Sequence, residues 1–196
     1  MTVIAIAGGL GDVGRTIEVE MVRHPHLTVH ILTRKEQKHG RCPQAFLGQL
    51  KSTTLQSQHE FNIDYNASEE DMPYSPRGEF LRAREELDRH PNLTYSLIRN
   101  GYFMDYLGMP YVESYLHPLY NILDLAACKA VVPGDGDVPV VWTHTQDVAK
   151  FVAALTDMPT KQWPREAAIV GERITLNSLV DLAAQVTGLS FSLLSR

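Results

Sequence analysis

The spacing of apolar and polar positions changes several times along the chain, and the changes mark alternating strands and helices. "TVIAIAGG" is a short apolar, β-branched run ending in glycine, the pattern of a buried strand. Between Gly14 and Pro25 there is no further glycine or proline, and Val13, Ile17, Met21 and Val22 recur at helical spacing, which predicts a helix to about His24. "LTVHILTR" reads as a second strand. Strand, helix and strand within about thirty residues form one βαβ unit, whose strands are expected to be parallel and whose crossover right-handed.

The pattern then weakens. From Lys35 to Gln58 the chain is polar, with "TTLQSQ" as a poor remnant of a strand, and residues 35–58 are expected to form a reduced, irregular segment. Order resumes at "EFLRAREELDRH", a charged helix with Phe80, Leu81 and Leu87 for a buried face and Pro91 to stop it, followed by the strand "LTYSLIRNG". Pro110 and Pro118 break the next stretch, rich in Tyr, Leu and Met, into short helical pieces. "VPVVWTHT" predicts a strand, and "TQDVAKFVAALTDM" a helix with Thr145 as N-cap and Val148, Val152 and Leu155 on one face. "AAIVGE" predicts a last strand, and "TLNSLVDLAAQVTG" a closing helix stopped at Gly188. Strands alternating with helices give an α/β class, and 196 residues suit one domain, 1–196.

Composition narrows the function. An apolar fraction of 44% and a net charge of −5 describe a globular chain with no electrostatic reason to bind nucleic acid. Cys42 and Cys128 are far apart, so no disulfide framework or zinc site is readable, and no metal is expected. The apolar run from Val3 to Ala7 is far shorter than a signal core or a membrane span, and the expectation is a cytoplasmic protein with no membrane partner.

The glycine turn after the first strand carries the main chemical signal. Gly9, Gly11 and Gly14 satisfy G-x-G-x-x-G, and Gly8, Gly11 and Gly14 satisfy G-x-x-G-x-x-G. In either register, glycine lets the backbone approach a diphosphate closely, and the helix that follows offers unpaired N–H donors and partial positive charge. Strand, turn, helix and strand form the context that separates a dinucleotide site from a tight corner. The position near the end of the second strand, where an acid would bond the ribose of NAD, is Arg34, followed by Lys35. The planar fork of arginine suits the extra phosphate of NADP(H), the expected cofactor, and Arg15 at the helix start offers a second cation.

Taken with the glycine turn, "LTVHILTR", "SLIRNGYFMDYL" and "HTQDVAKFVAAL" give a chain that resembles the NmrA-like and isoflavone-reductase-like branch of the atypical short-chain dehydrogenases, particularly fungal members, over about residues 1–34 and 58–191. The resemblance implies a Rossmann-like doubly wound parallel sheet, incomplete because the strand-three-to-strand-four region is reduced, with a small C-terminal substrate-binding part. It implies a cofactor-binding set of Gly8, Gly11, Asp12, Val13, Gly14, Arg34, Asn100 and Gly101, the last two near the nicotinamide. Tyr102, Phe103 and Tyr106 lie just beyond a strand's carboxyl end, where ligands sit in open parallel sheets, and are the expected substrate wall.

Catalytic residues are harder to place. None of the eight tyrosines has a lysine four residues later, and there is no lysine between Lys51 and Lys129, where this branch carries one. Arginine stays protonated and is a poor proton donor, so the catalytic residue is left unassigned. Glu60, Asp64, Glu69, Glu70 and Asp71 read as a solvated acidic loop, and His144 at a strand end reads as structural. The leading expectation is an NADPH-dependent reductase of a small aromatic or polyketide-like metabolite. A dinucleotide sensor without turnover and a non-redox isomerase or cyclase are the alternatives.

Overall fold

The computed structural model describes residues 2–7, 11–32, 54–56 and 77–195. The chain opens with β1 (Thr2–Ala7), α1 (Asp12–Met21) and β2 (Leu27–Leu32). β1 and β2 are parallel along their whole lengths, Thr2 opposite Leu27 and Ala7 opposite Leu32, as the βαβ reading requires. The short strand β3 (Thr54–Gln56) pairs with the other edge of β1, also parallel, so the order is β2-β1-β3. Part of the segment expected to be irregular therefore supplies a strand, and the rest of 35–58 lies outside the described residues. β3 stands where the fourth strand lies in the doubly wound order 3-2-1-4-5-6, and β1 sits at the reversal point.

Next come α2 (Arg77–Asp88), β4 (Leu97–Arg99), β5 (Tyr102–Phe103), α3 (Asp105–Gly108), β6 (Leu123–Asp124) and β7 (Lys129–Val132). β8 (Pro139–Thr143), α4 (Thr145–Asp157), β9 (Glu166–Ala168), β10 (Glu172–Thr175), α5 (Leu176–Thr187) and β11 (Ser192–Ser195) complete the order. β4 pairs with β9, β8 lies between β5 and β10, and β7 lies between β6 and β11. β6, β7, β10 and β11 are not legible in the sequence as strands. They are short, and the turn at Gly171 that joins β9 to β10 falls inside the single strand expected from "AAIVGE".

One core unites the first sheet with two helices. Ile4 and Ile6, two apart on β1, point to the same face and meet Ile17 and Met21 of α1 and Val148, Val152 and Leu155 of α4. Truncating a side chain as buried as Ile17 costs about 2–5 kcal/mol. α1 stops at Met21, a turn before the expected end, because the chain turns back toward β2 through His24 and Pro25. α5 has Thr175 as N-cap, its hydroxyl accepting from the Ser178 N–H, and ends at Gly188 with φ +70°, as the sequence predicts. α5 packs on a second cluster formed by Val132, Trp142, Leu176 and Leu179. Among the described residues, no helix is long and apolar enough to cross a membrane.

Candidate functional site

The first turn of α1 lies at the carboxyl end of β1, between the directions taken by β2 and β3. Gly11 is its N-cap, with extended backbone (φ −82°, ψ 174°), and among the described residues no side chain caps the helix. The opening N–H donors of α1 thus lack the side-chain acceptor that serves α4 and α5, an arrangement that fits a bound anion. Gly14 is buried where α1 passes over the sheet, and Val13 packs at the edge of the core. Gly8, Gly9 and Arg34 lie outside the described residues, as do the acidic residues between Glu60 and Asp71.

A segment between Pro110 and Asn121 is fastened over this turn. His117 Nδ1 is 2.9 Å and 3.0 Å from the two carboxylate oxygens of Asp12, and its backbone N–H donates to the same carboxylate at 3.4 Å. That hydrogen bond, with the Asp12 charge behind it, holds the exposed His117 ring above the usual histidine pKa. The Arg15 guanidinium lies over the Tyr115 ring, 4.5 Å from its centre, and Leu116, between Tyr115 and His117 in the chain, is buried in the main core. Asp12 is expected from the sequence as part of the turn. Its partner, 105 positions away, is not.

The Asn100-Gly101 pair closes β4. Asn100 is fully buried: its side-chain Nδ2 donates to the Gly101 carbonyl at 3.0 Å, and its own carbonyl accepts from the Thr143 hydroxyl at 2.7 Å. Among the described residues its Oδ1 has no hydrogen-bond donor, leaving a buried acceptor at the carboxyl edge of the strands. Gly101 has φ +68°, and a Cβ there would stand 2.3 Å from the Val141 carbonyl oxygen, so the fold itself requires glycine.

The three expected wall residues are divided by the strand. Phe103 and Tyr106 meet edge to face, ring centres 6.2 Å apart, on the side of the main core. Tyr102, adjacent to Phe103 and so on the opposite face of β5, stacks obliquely on Trp142 at 5.1 Å in the second cluster. Burial, and then the charges of Asp12 and Asp105, push the Tyr106 phenol above its ordinary pKa. Tyr106 is thereby kept as a neutral hydroxyl that can donate a hydrogen bond. It is not set up as a phenolate base.

Asp105 is the residue that sequence reasoning misses. Its side chain is 1% exposed, and its carboxylate accepts from the Thr145 N–H at 2.9 Å, the Thr145 hydroxyl at 2.6 Å and the Ser114 hydroxyl at 2.7 Å. Thr145 is therefore not the N-cap of α4. That place is taken by His144, whose Nδ1 accepts from the Gln146 N–H at 3.2 Å. His144, read from the sequence as structural, caps the helix through this bond. An acid at the start of a helical piece is the only visible signal for Asp105, and it does not reveal a partner forty residues on. α2 contains arginines and no lysine, and Lys150 is engaged with Asp147 at 2.9 Å on the exposed side of α4.

Comparison with known proteins places this arrangement in context. No protein-family model matches the chain. The oxidoreductase swnN of Arthroderma benhamiae is 39% identical over 110 residues, 55% of this chain and 35% of that protein. The oxidoreductase BOA1 of Botryotinia fuckeliana is 38% identical over 97 residues, 50% of this chain and 32% of that protein. The chain thus spans about a third of the length of these relatives. Among solved structures, a leucoanthocyanidin reductase from Vitis vinifera in complex with NADPH shares the fold at a TM-score of 0.66, 15% identity, and 99% and 78% coverage of the two chains. An isoflavone reductase gives 0.63 at 16% identity, covering 100% of this chain and 78% of that one. Sequence similarity thus ties about half of the chain to fungal oxidoreductases, and the solved reductases share its Rossmann-like fold.

Proposed function

We propose that the chain binds a nicotinamide dinucleotide, NADP(H) in preference to NAD(H), at the first turn of α1, and that it acts on a small aromatic or polyketide-like metabolite of secondary metabolism. The observation that carries this reading is the α1 N-terminus, which has no side-chain cap among the described residues and is set at the reversal point of a parallel sheet behind extended Gly11. Gly8, Gly11 and Gly14 would leave room for the diphosphate beside the backbone, with Asp12 and Val13 on the first turn. Arg34 would take the ribose phosphate. The pairing of Asp12 with His117 offsets a carboxylate that would otherwise repel the diphosphate.

Bound NADPH supplies a hydride to a carbonyl or activated double bond. Asn100 and Gly101, at the end of β4, are the proposed boundary of the nicotinamide end, with the unfilled Asn100 Oδ1 as an acceptor there. Phe103 and Tyr106 form the proposed apolar wall for substrate, and the Tyr106 hydroxyl is the available neutral donor.

Binding without appreciable turnover is the second reading, and the absence of lysine from α2 favours it. General acid–base catalysis contributes about two to four orders of magnitude, so its loss leaves slow chemistry on an intact binding turn. NADPH consumption measured with a panel of aromatic ketones and enones separates the two. Robust turnover supports the reductase, and saturable NADPH binding with no consumption above background supports the sensor.

A further inference from the structure

The other end of α1 holds a second constellation, about 15 Å along the helix from the glycine turn. α1 and α4 lie side by side, and the turn after α1, His24-Pro25-His26, meets the last residue of α4, Asp157. His26 Nε2 is 2.7 Å from Asp157 Oδ1, and His24 Nδ1 is 3.9 Å from Asp157 Oδ2. The two imidazoles stand nearly perpendicular with centres 5.8 Å apart, and one ligand atom from each of the three residues lies within 4.8 Å of the others.

The electrostatics of this corner call for a cation. Asp157 sits at the carboxyl end of α4, where the helix dipole is negative and a carboxylate is disfavoured. The carboxyl end of α1 adjoins it, and neither helix has a basic residue in its last turn. Among the described residues, Asp157 pairs with the two histidines.

We propose that His24, His26 and Asp157 form a binding site for a borderline divalent cation, zinc(II) foremost, that ties the α1–β2 turn to α4. Two imidazole nitrogens and one carboxylate oxygen are a three-ligand set that zinc takes with water in the fourth position. Bonds of about 2.0–2.1 Å place tetrahedral donors about 3.3–3.5 Å apart. The three donor atoms, one from each residue and all within 4.8 Å of one another, must draw to this spacing, with His26 and Asp157 opening from 2.7 Å. His26 and Asp157 are half-exposed and His24 is a quarter exposed, so the side chains can make this adjustment without moving the core. This site is independent of the glycine turn and of the proposed activity.

The test is a titration of the full chain, without an affinity tag, with cobalt(II), followed by displacement with zinc(II). The expected result is one equivalent bound with the intense visible absorption of four- or five-coordinate cobalt, bleached by zinc. His24→Ala and Asp157→Asn should each weaken it by more than about tenfold, while His90→Ala, remote on the turn after α2, leaves it unchanged. Asp157→Asn keeps a hydrogen-bonding partner for His26, and circular dichroism of both variants verifies folding. Only the weak bands of octahedral cobalt, or a strong spectrum that survives both substitutions, would overturn the assignment.

Discussion

His117 sits astride the carboxylate of Asp12, its Nδ1 within 3.0 Å of both oxygens, and so fixes the 110–121 segment to the first turn of the helix behind the glycine turn. The contact is legible only in three dimensions, and it makes the charge at that turn depend on pH. The Asp12 hydrogen bond raises the His117 pKa. Its stabilising contribution is therefore complete below the ordinary histidine value of about 6.5 and is lost as pH rises through the higher folded value. Above that value Asp12 faces a bound diphosphate unneutralised. Dinucleotide affinity should fall as pH rises through this window, by a small factor because the ring is exposed and screened by salt. NADH is the probe of choice, since it lacks the titrating 2′-phosphate. A flat profile for His117→Asn beside a sloping wild-type profile is the expected pair of results; identical slopes would remove His117 from the account.

In the proposed reading, Arg34 sets the choice between the two cofactors. Arg34→Asp should weaken NADPH binding far more than NADH binding, measured by nicotinamide fluorescence at fixed ionic strength. Equal losses for both would show that Arg34 does not read the ribose phosphate.

Gly101 combines a left-handed backbone with close approach to Val141. Gly101→Ala should cost about 2–4 kcal/mol in urea unfolding, from backbone strain together with the overlap. A change below about 0.5 kcal/mol would mean that the β4–β5 corner relaxes freely.

Asp105 holds two donors of Thr145 and one of Ser114 in a buried setting. Asp105→Ala leaves these donors unsatisfied and should destabilise by about 2–4 kcal/mol. Hydrogen exchange should quicken in the first turn of α4 while the carboxyl half of that helix stays protected. Uniform quickening would instead indicate global loss of structure.

The βαβ unit is legible in the sequence because its strands and helix are long enough to show their own period. Spacing alone marks Ile17 and Met21 as the inner face of α1, and Val148, Val152 and Leu155 as that of α4, and these are the side chains that meet in the core. The two-residue strands β5 and β6 have no period to display, and β10 follows a turn that propensity does not signal. At the candidate site, glycine spacing and the Arg34 position are local patterns and can be read. The His117–Asp12 and Asp105–Thr145 pairs join residues 105 and 40 positions apart, and a pattern limited to neighbours carries no trace of them. Thr145 shows the consequence: a threonine before a helical run looks like an N-cap, but a buried carboxylate from elsewhere takes its hydroxyl, and the cap passes to His144.

Whether the α1 N-terminus receives a dinucleotide diphosphate is decided by a titration of wild type and Gly11→Asp with NADPH and NADH. The extended backbone of Gly11 admits any residue, and aspartate is a favoured N-cap, so this variant should fold with equal or higher stability. Its carboxylate would occupy the helix donors and repel phosphate. The expected result is saturable binding to wild type, tighter for NADPH, and none to Gly11→Asp with its melting temperature maintained. Undiminished binding to that variant, or no binding of either nucleotide to wild type, would contradict it.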